Sequence, residues 1–462
     1  MVVKGLHDMD SRTIEYLKSV LGDFVKEPRF IIVAGHPGAG KTTLASTLCL
    51  HAMQTNEKCL YMSFQEDKNR LFKQLAGVGI ALDYFDAKGL LRFIKFPIPG
   101  DEEAVHIFMN EMLKSISDFN PRIIVIDSIT ALFKGLRDDV KIRGYLQNLF
   151  WELQKIVLGS IVMVVEVALG QEYPSLGDIE FIADAILILK HRIEEGLIER
   201  FMEIRKIRGR ELLVAEIPFS IRGVQGIVLH PPVIPREIKS IAKSHLKLKR
   251  VNNEYEFEEV RRPVHVTLIE FTPQILPSTC LLLSILMHAP RNEKILIIDY
   301  KNSEDELKQY IIDILRKYGD DKTIEKILDR VVIKAINPLA YSIYERVAME
   351  LSIVDEVKPG AVVFYDSSLP LMLESNKERY LRTLFNETLA LKSRGVEVIL
   401  AEAKSPPELS TIKRMLADSM IHIDCVDNYC LDYTVRIVEW GEETLLTKAD
   451  VEKLISKLLI LG

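Results

Sequence analysis

Residues 29–42 read Arg29-Phe-Ile-Ile-Val-Ala34-Gly35-His36-Pro37-Gly38-Ala39-Gly40-Lys41-Thr42. The first six are a short β-branched run, the mark of a strand buried on both faces of a parallel sheet. The next eight fit G-x-x-x-x-G-K-[ST] at every position. Thr42 to Met53 continue as a helix. Glycines let backbone N–H groups close around phosphate oxygens with no Cβ in the way. The helix N-terminus adds donors and a partial positive charge. The sequence therefore assigns ATP to Gly35, His36, Pro37, Gly38, Ala39, Gly40, Lys41, Thr42 and Thr43. Lys41 is expected at the β- and γ-phosphates, and the Thr42 hydroxyl on Mg²⁺. His36 reads as a variable loop residue and not as a catalyst.

Working outward, Pro121-Arg-Ile-Ile-Val-Ile-Asp127-Ser128 is a second apolar strand ending in a carboxylate. Alone this is a weak signal. Standing 85 residues after Thr42, Asp127 becomes the expected second contributor to the Mg²⁺ shell. Ser160-Ile-Val-Met-Val-Val-Glu166 is a further strand with a terminal carboxylate. At that level ligands bind in open α/β sheets. Glu166 is read either as a sensor of the γ-phosphate or water, or as a capping carboxylate.

Three more segments follow in order: Leu60-Tyr-Met-Ser-Phe-Gln-Glu66, Glu180-Phe-Ile-Ala-Asp184-Ala-Ile-Leu-Ile-Leu189, and Glu203-Ile-Arg-Lys206-Ile-Arg208-Gly209. With the phosphate loop and the Asp127 strand, this series resembles a RecA-superfamily ATPase of the KaiC-like kind over about residues 10–230. The resemblance implies a mostly parallel α/β domain, ATP with Mg²⁺, and an oligomer, a ring or a dimer, with nucleotide at the subunit interface. It also implies a water-polarising glutamate after the second strand, where the family usually has Phe-Glu-Glu. Here the stretch is Phe64-Gln65-Glu66-Asp67. Gln65 orients a water but cannot accept its proton, so hydrolysis is expected to be slow. Glu66 becomes the candidate general base or water positioner. The competing reading is a solvated loop with Asp67 at a helix start. Lys206 and Arg208 flank Ile207, so strand alternation puts both on one face. The resemblance implies that they reach the γ-phosphate of a neighbouring subunit; the competing reading is a basic solvated strand edge.

The second half repeats the first. Asp366 stands 239 residues after Asp127, Asp418 234 after Asp184, and Glu402 236 after Glu166. Lys294-Ile-Leu-Ile-Ile-Asp299 parallels the strand from Cys59 to Ser63. Offsets this constant argue for a duplicated domain. At the position of the phosphate loop stands Phe271-Thr-Pro-Gln-Ile-Leu-Pro-Ser-Thr-Cys280, with no glycine and no lysine. Arg436-Ile-Val-Glu-Trp440-Gly441 carries an acid where Lys206-x-Arg208 has bases. The expected architecture is two tandem RecA-like α/β domains, residues 1–232 and 261–462, the second degenerate, with a linker at 233–260. Residues 236–250 carry Arg236, Lys239, Lys243, Lys247, Lys249 and Arg250 against Glu237. They read as a linker helix whose charges meet Glu254, Glu256, Glu258 and Glu259, in preference to a nucleic-acid contact.

Composition bounds the rest. The 462 residues are 48% hydrophobic and 27% charged, which excludes a disordered or low-complexity chain. Acidic residues (66) exceed Lys and Arg (60), a net charge of −6, and a protein that coats DNA by bulk charge would be basic. The five cysteines form no C-x-x-C pair and read as buried reduced thiols. Met1 to Asp10 has no apolar signal core, and no run approaches the roughly 20 apolar residues of a membrane span. A cytoplasmic protein with no membrane partner is expected.

Three functions fit. The leading one is an ATP-hydrolysing oligomeric switch whose second domain reads the nucleotide state or contacts a protein partner. A second is an ATP-sensing scaffold that barely hydrolyses. A third is a recombinase-like single-stranded-DNA-binding ATPase, which needs DNA loops within Phe133–Arg143 or near Gly170–Leu176. A reaction that requires two phosphate-binding domains is not expected.

Overall fold

The computed structural model describes the chain apart from residues 1–10, 99–101, 131–152, 154–156, 169, 172–178, 195, 224, 240, 253, 274–292, 405–406, 428–431, 440 and 462. The two DNA-loop candidates fall largely outside the described residues, as does most of the Phe271–Cys280 stretch. The chain divides into two compact units, Met1–Pro232 and Val233–Gly462.

Among its described residues the first unit has nine strands: β1 Phe30–Gly35, β2 Cys59–Ser63, β3 Leu91–Lys95, β4 Ile123–Asp127, β5 Ser160–Glu166, β6 Ala185–Glu194, β7 Leu197–Ile207, β8 Glu216–Arg222 and β9 Gly226–Leu229. Their order across the sheet is β3-β2-β4-β5-β1-β6-β7-β8-β9. The part from β3 to β6 is parallel, and β7 to β9 extend it as antiparallel strands. Central strands such as Phe30–Gly35 are buried at every residue. One face packs Ile31, Val33, Tyr61, Val125 and Val162 under the helix Lys41–Gln54. The other packs Phe30, Ile32, Met62, Ile126 and Met163 under the helix Glu102–Phe119. The parallel strands carry Gly35, Ser63, Asp127 and Glu166 out at one common edge, with Gly35 opposite Glu166 and Ser63 opposite Asp127.

The second unit begins with a hairpin, β10 Ala242–Val251 and β11 Glu254–Pro263, where a linker helix was expected. Asn252, in left-handed backbone at φ 48°, makes the turn. One charge meets an expected partner, Lys249 with Glu258 at 3.6 Å, whereas Lys247 pairs with Glu442 at 2.6 Å. Eight strands follow among the described residues: β12 Val266–Phe271, β13 Ile295–Asp299, β14 Val331–Ala335, β15 Ala361–Tyr365, β16 Glu397–Ala403, β17 Ser419–Cys425, β18 Tyr433–Glu439 and β19 Glu442–Thr447. Their order, β14-β13-β15-β16-β12-β17-β18-β19, is that of the first sheet without its last strand. A shared carboxylate anchors both. The Phe30 amide donates to Asp184 at 2.9 Å, and the Val266 amide to Asp418 at 2.9 Å. The expected pair of mostly parallel α/β sheets in tandem is what the chain forms.

Register corrects two of the paired positions. With Phe30 matched to Val266, Ile161 matches Val398, so Glu166 corresponds to Ala403 and not Glu402. Through the same ladder Asp127 corresponds to Tyr365 and not Asp366. A slip of one residue moves a side chain to the opposite face of the sheet. Glu402 accordingly lies buried, held by Lys413 and by the Ser367 hydroxyl at 2.8 Å. The cysteine reading is also corrected. The helix Lys41–Gln54 lies across β2, brings the Cα atoms of Cys49 and Cys59 to 5.7 Å, and the two form a disulfide. Cys425 is disulfide-bonded as well.

Candidate functional site

At the end of β1 the chain leaves the sheet into the loop His36–Gly40 and enters the helix at Lys41. Gly40, the residue before the helix, is left-handed at φ 100°. A Cβ there would also come within 3.0 Å of Ile221 Cδ1. At Gly35 a Cβ would stand 2.4 Å from the Leu189 carbonyl oxygen, so both glycines are fixed by backbone and packing together.

Lys41, Thr42 and Asp127 come together as their spacing implies. The Thr42 hydroxyl donates to Asp127 Oδ2 at 2.8 Å. Tyr61 donates to the same oxygen at 2.8 Å. Burial pushes the Asp127 carboxyl up, while the Tyr61 and Thr42 hydrogen bonds and then the Lys41 charge pull it down. Tyr61 was missed in the sequence. Its signal is a phenol inside an otherwise apolar strand, which needs a partner when buried. Lys41 Nζ donates to the His36 carbonyl at 2.9 Å. Burial lowers its pKa, and Glu166 and then Asp127 raise it. A hydroxyl and a carboxylate on neighbouring elements are the hard oxygen donors that Mg²⁺ takes, with waters and phosphate oxygens completing its shell. The residues therefore fit Mg-ATP.

The two glutamates part company. Gln65 Nε2 donates to Glu166 Oε1 at 2.7 Å and lies 3.4 Å from the Ser128 hydroxyl oxygen. Glu166 stands close enough to Lys41 and Asp127 to act on both. Glu66 is turned along the next helix, with its carboxylate 3.0 Å from Arg70 Nε. Asp67 is the residue before that helix, Lys68–Ala76, and pairs with Lys95 at 2.7 Å.

Lys206 lies near the end of β7 and Arg208 one residue beyond it, and their side chains meet at one carbonyl. Lys206 Nζ donates to the Glu180 carbonyl at 2.8 Å, and both side chains donate to the Phe181 carbonyl. Burial and then the Arg208 charge lower the Lys206 pKa. The two side chains are not brought to the phosphate loop of their own chain. Lys206 lies opposite Ile186, which lies opposite Ile32, three residues before Gly35. At about 3.3 Å per residue and 4.8 Å per strand, Lys206 Cα is about 14 Å from the mouth of the loop.

Comparison with known proteins agrees with this geometry. The family model described as "ATPase: KaiC" matches residues 11–233. The circadian clock protein KaiC3 of Synechocystis sp. is 27% identical over 210 residues, which cover 44% of this chain and 42% of that protein. The circadian clock oscillator protein KaiC of Thermostichus vulcanus is 28% identical over 224 residues, covering 46% of this chain and 42% of its own. The KaiC 1 protein of Synechocystis sp. is 27% identical over 190 residues, 41% of this chain and 36% of that one. The matches span less than half the length of these relatives. Among the described residues no helix is long and apolar enough to cross a membrane. In its first half, this chain carries a KaiC-like ATPase domain of the RecA superfamily.

Proposed function

We propose that the protein is an oligomeric, nucleotide-driven switch that binds and slowly hydrolyses Mg-ATP in its first unit. The observation that carries this is the convergence of Lys41, Thr42, Asp127, Gln65 and Glu166 at one edge of the first sheet. Gly35 to Thr43 hold the triphosphate, and Thr42 and Asp127 hold Mg²⁺. The water-directing carboxylate is Glu166, aimed by the Gln65 amide, and Glu66 plays a lesser part because Arg70 engages it. With an amide at Gln65, Glu166 keeps one base in the site.

This assignment has a direct test. Glu166→Gln lowers steady-state turnover about 10²–10³-fold while ATP affinity stays within a few-fold, the range expected for loss of a general base. Glu66→Gln changes turnover less than tenfold. Equal losses in both variants, or a larger loss in Glu66→Gln, would refute the role given to Glu166.

Lys206 and Arg208 act on the phosphate of a neighbouring subunit, because about 14 Å separates Lys206 from its own loop. A mixture of Arg208→Ala and Lys41→Ala chains then regains turnover that neither has alone, read as phosphate release after subunit exchange. A mixture no more active than its components would place Arg208 outside the reaction.

The second unit binds no ATP. Its sheet has Tyr365 and Ala403 where the first has Asp127 and Glu166, and its sequence lacks the glycines and lysine of the loop. It serves as the part that oligomer or protein contacts read.

A further inference from the structure

The join between the hairpin and the second sheet holds three buried groups of metal-binding type. His245 lies on β10, His265 directly precedes β12, and Glu397 is the first residue of β16. All three side chains are buried, at 3%, 9% and 3% exposure. Their ligand atoms lie within 4.8 Å of one another. Register explains the meeting. Val266 pairs with Val398, so His265 and Glu397 stand side by side at the start of neighbouring parallel strands. β10 then lays His245 over both, with the two imidazole rings 4.7 Å apart.

The surroundings of His245 carry the argument. Its Nε2 is 3.1 Å from the Arg262 carbonyl oxygen, which only accepts. Its Nδ1 is 3.1 Å from a Glu397 carboxylate oxygen. A neutral imidazole has one donor and one acceptor nitrogen, so it cannot donate to both oxygens. With Nε2–H given to the carbonyl, the Nδ1 lone pair faces a carboxylate and the two repel. A cation between Nδ1 and Oε1 removes the repulsion. A histidine whose remote N–H is fixed by a backbone carbonyl is also the usual outer arrangement of a metal-ligating imidazole.

We propose that His245, His265 and Glu397 bind one divalent transition-metal ion, with zinc the ion of choice. Two imidazoles and one carboxylate suit Zn²⁺, and a water completes four-coordination. A tetrahedral zinc places its ligand atoms about 3.3 Å apart, so the cluster, whose atoms lie within 4.8 Å of one another, closes by up to about 1.5 Å on binding. The site lies at the start of the parallel strands, the end opposite to that at which the first unit gathers its nucleotide residues. Buried where three strands meet, the ion would clamp the hairpin Ala242–Pro263 to β12 and β16.

The test uses the full chain, stripped with a chelator and titrated with Zn²⁺ and, separately, with Co²⁺ as a coloured probe. The wild type takes up one equivalent of zinc and shows the visible d–d absorption of tetrahedral cobalt. Zinc raises its unfolding temperature. Glu397→Gln and His265→Gln, both near-isosteric, each weaken zinc binding at least tenfold. Absence of the cobalt spectrum and of any zinc-dependent stabilisation in the wild type would overturn the proposal and leave a histidinium–carboxylate pair. Full-affinity binding retained in both variants would overturn it too.

Discussion

Lys41→Ala loses Mg-ATP binding and turnover together, with kcat/KM down about 10²–10³-fold, the scale of removing one preorganised charge from a phosphate site. The geometry explains the size. Lys41 is half-buried at the first turn of the helix, its Nζ held by the His36 carbonyl and facing Glu166 and Asp127. The loop His36–Gly40 holds no other lysine or arginine to take its place. Lys41→Arg keeps the charge but carries it on a planar fork instead of a point, so it recovers only part of the loss. Calorimetric ATP titration beside phosphate release reads both. An alanine variant that still turns ATP over at the parent rate would place the chemistry elsewhere.

The largest stability effect is expected far from the nucleotide, in the second unit. Arg346 is buried with Glu350, which is 1% exposed, and with Tyr300, Tyr380 and Glu387. Its Nη1 donates to Glu350 at 3.2 Å and to the Tyr300 hydroxyl at 3.1 Å, while Tyr300 donates to Glu350 at 2.7 Å. One guanidinium therefore serves two buried carboxyls. Burial and the Glu350 charge push the Glu387 carboxyl well up, which leaves Arg346 as the chief countercharge of Glu350. Arg346→Ala strands Glu350 and costs about 3–5 kcal/mol, the range for breaking a buried pair from one side. Arg346→Leu combined with Glu350→Leu costs less than the single alanine change, because no charge is left unpaired. Urea unfolding of the variants measures this. Equal costs for the single and double changes would show that lost packing, and not the stranded charge, sets the penalty.

Much of the first unit was legible because its signals are local. The strand Phe30–Gly35, the loop glycines, Lys41 and Thr42 lie within one short stretch, and Asp127 announces itself as a carboxylate ending an apolar strand. What was not legible depends on direction and register. Gln65, Glu66 and Glu166 are all polar residues at or just past strand ends. Only the turn into the helix Lys68–Ala76 shows that Glu66 leaves toward Arg70 while Gln65 meets Glu166. Likewise, offsets of 236 and 239 find the duplicated strands but not the residue-level match, because an apolar strand buried on both faces reads alike after a slip of one. The hairpin does carry a signal in the sequence. Lys247 and Lys249, then Glu254, Glu256 and Glu258, alternate with period two around Asn252-Asn253. The Cys49–Cys59 disulfide had none, since its residues meet only when a helix lies across a strand.

Of the two sheets, only the first is expected to work as a nucleotide site. Equilibrium binding of Mg-ATP to the full chain, with the count of nucleotides per chain, tests it most directly. One ATP per chain is expected, abolished by Lys41→Ala. Two per chain, or one that survives Lys41→Ala, would contradict it.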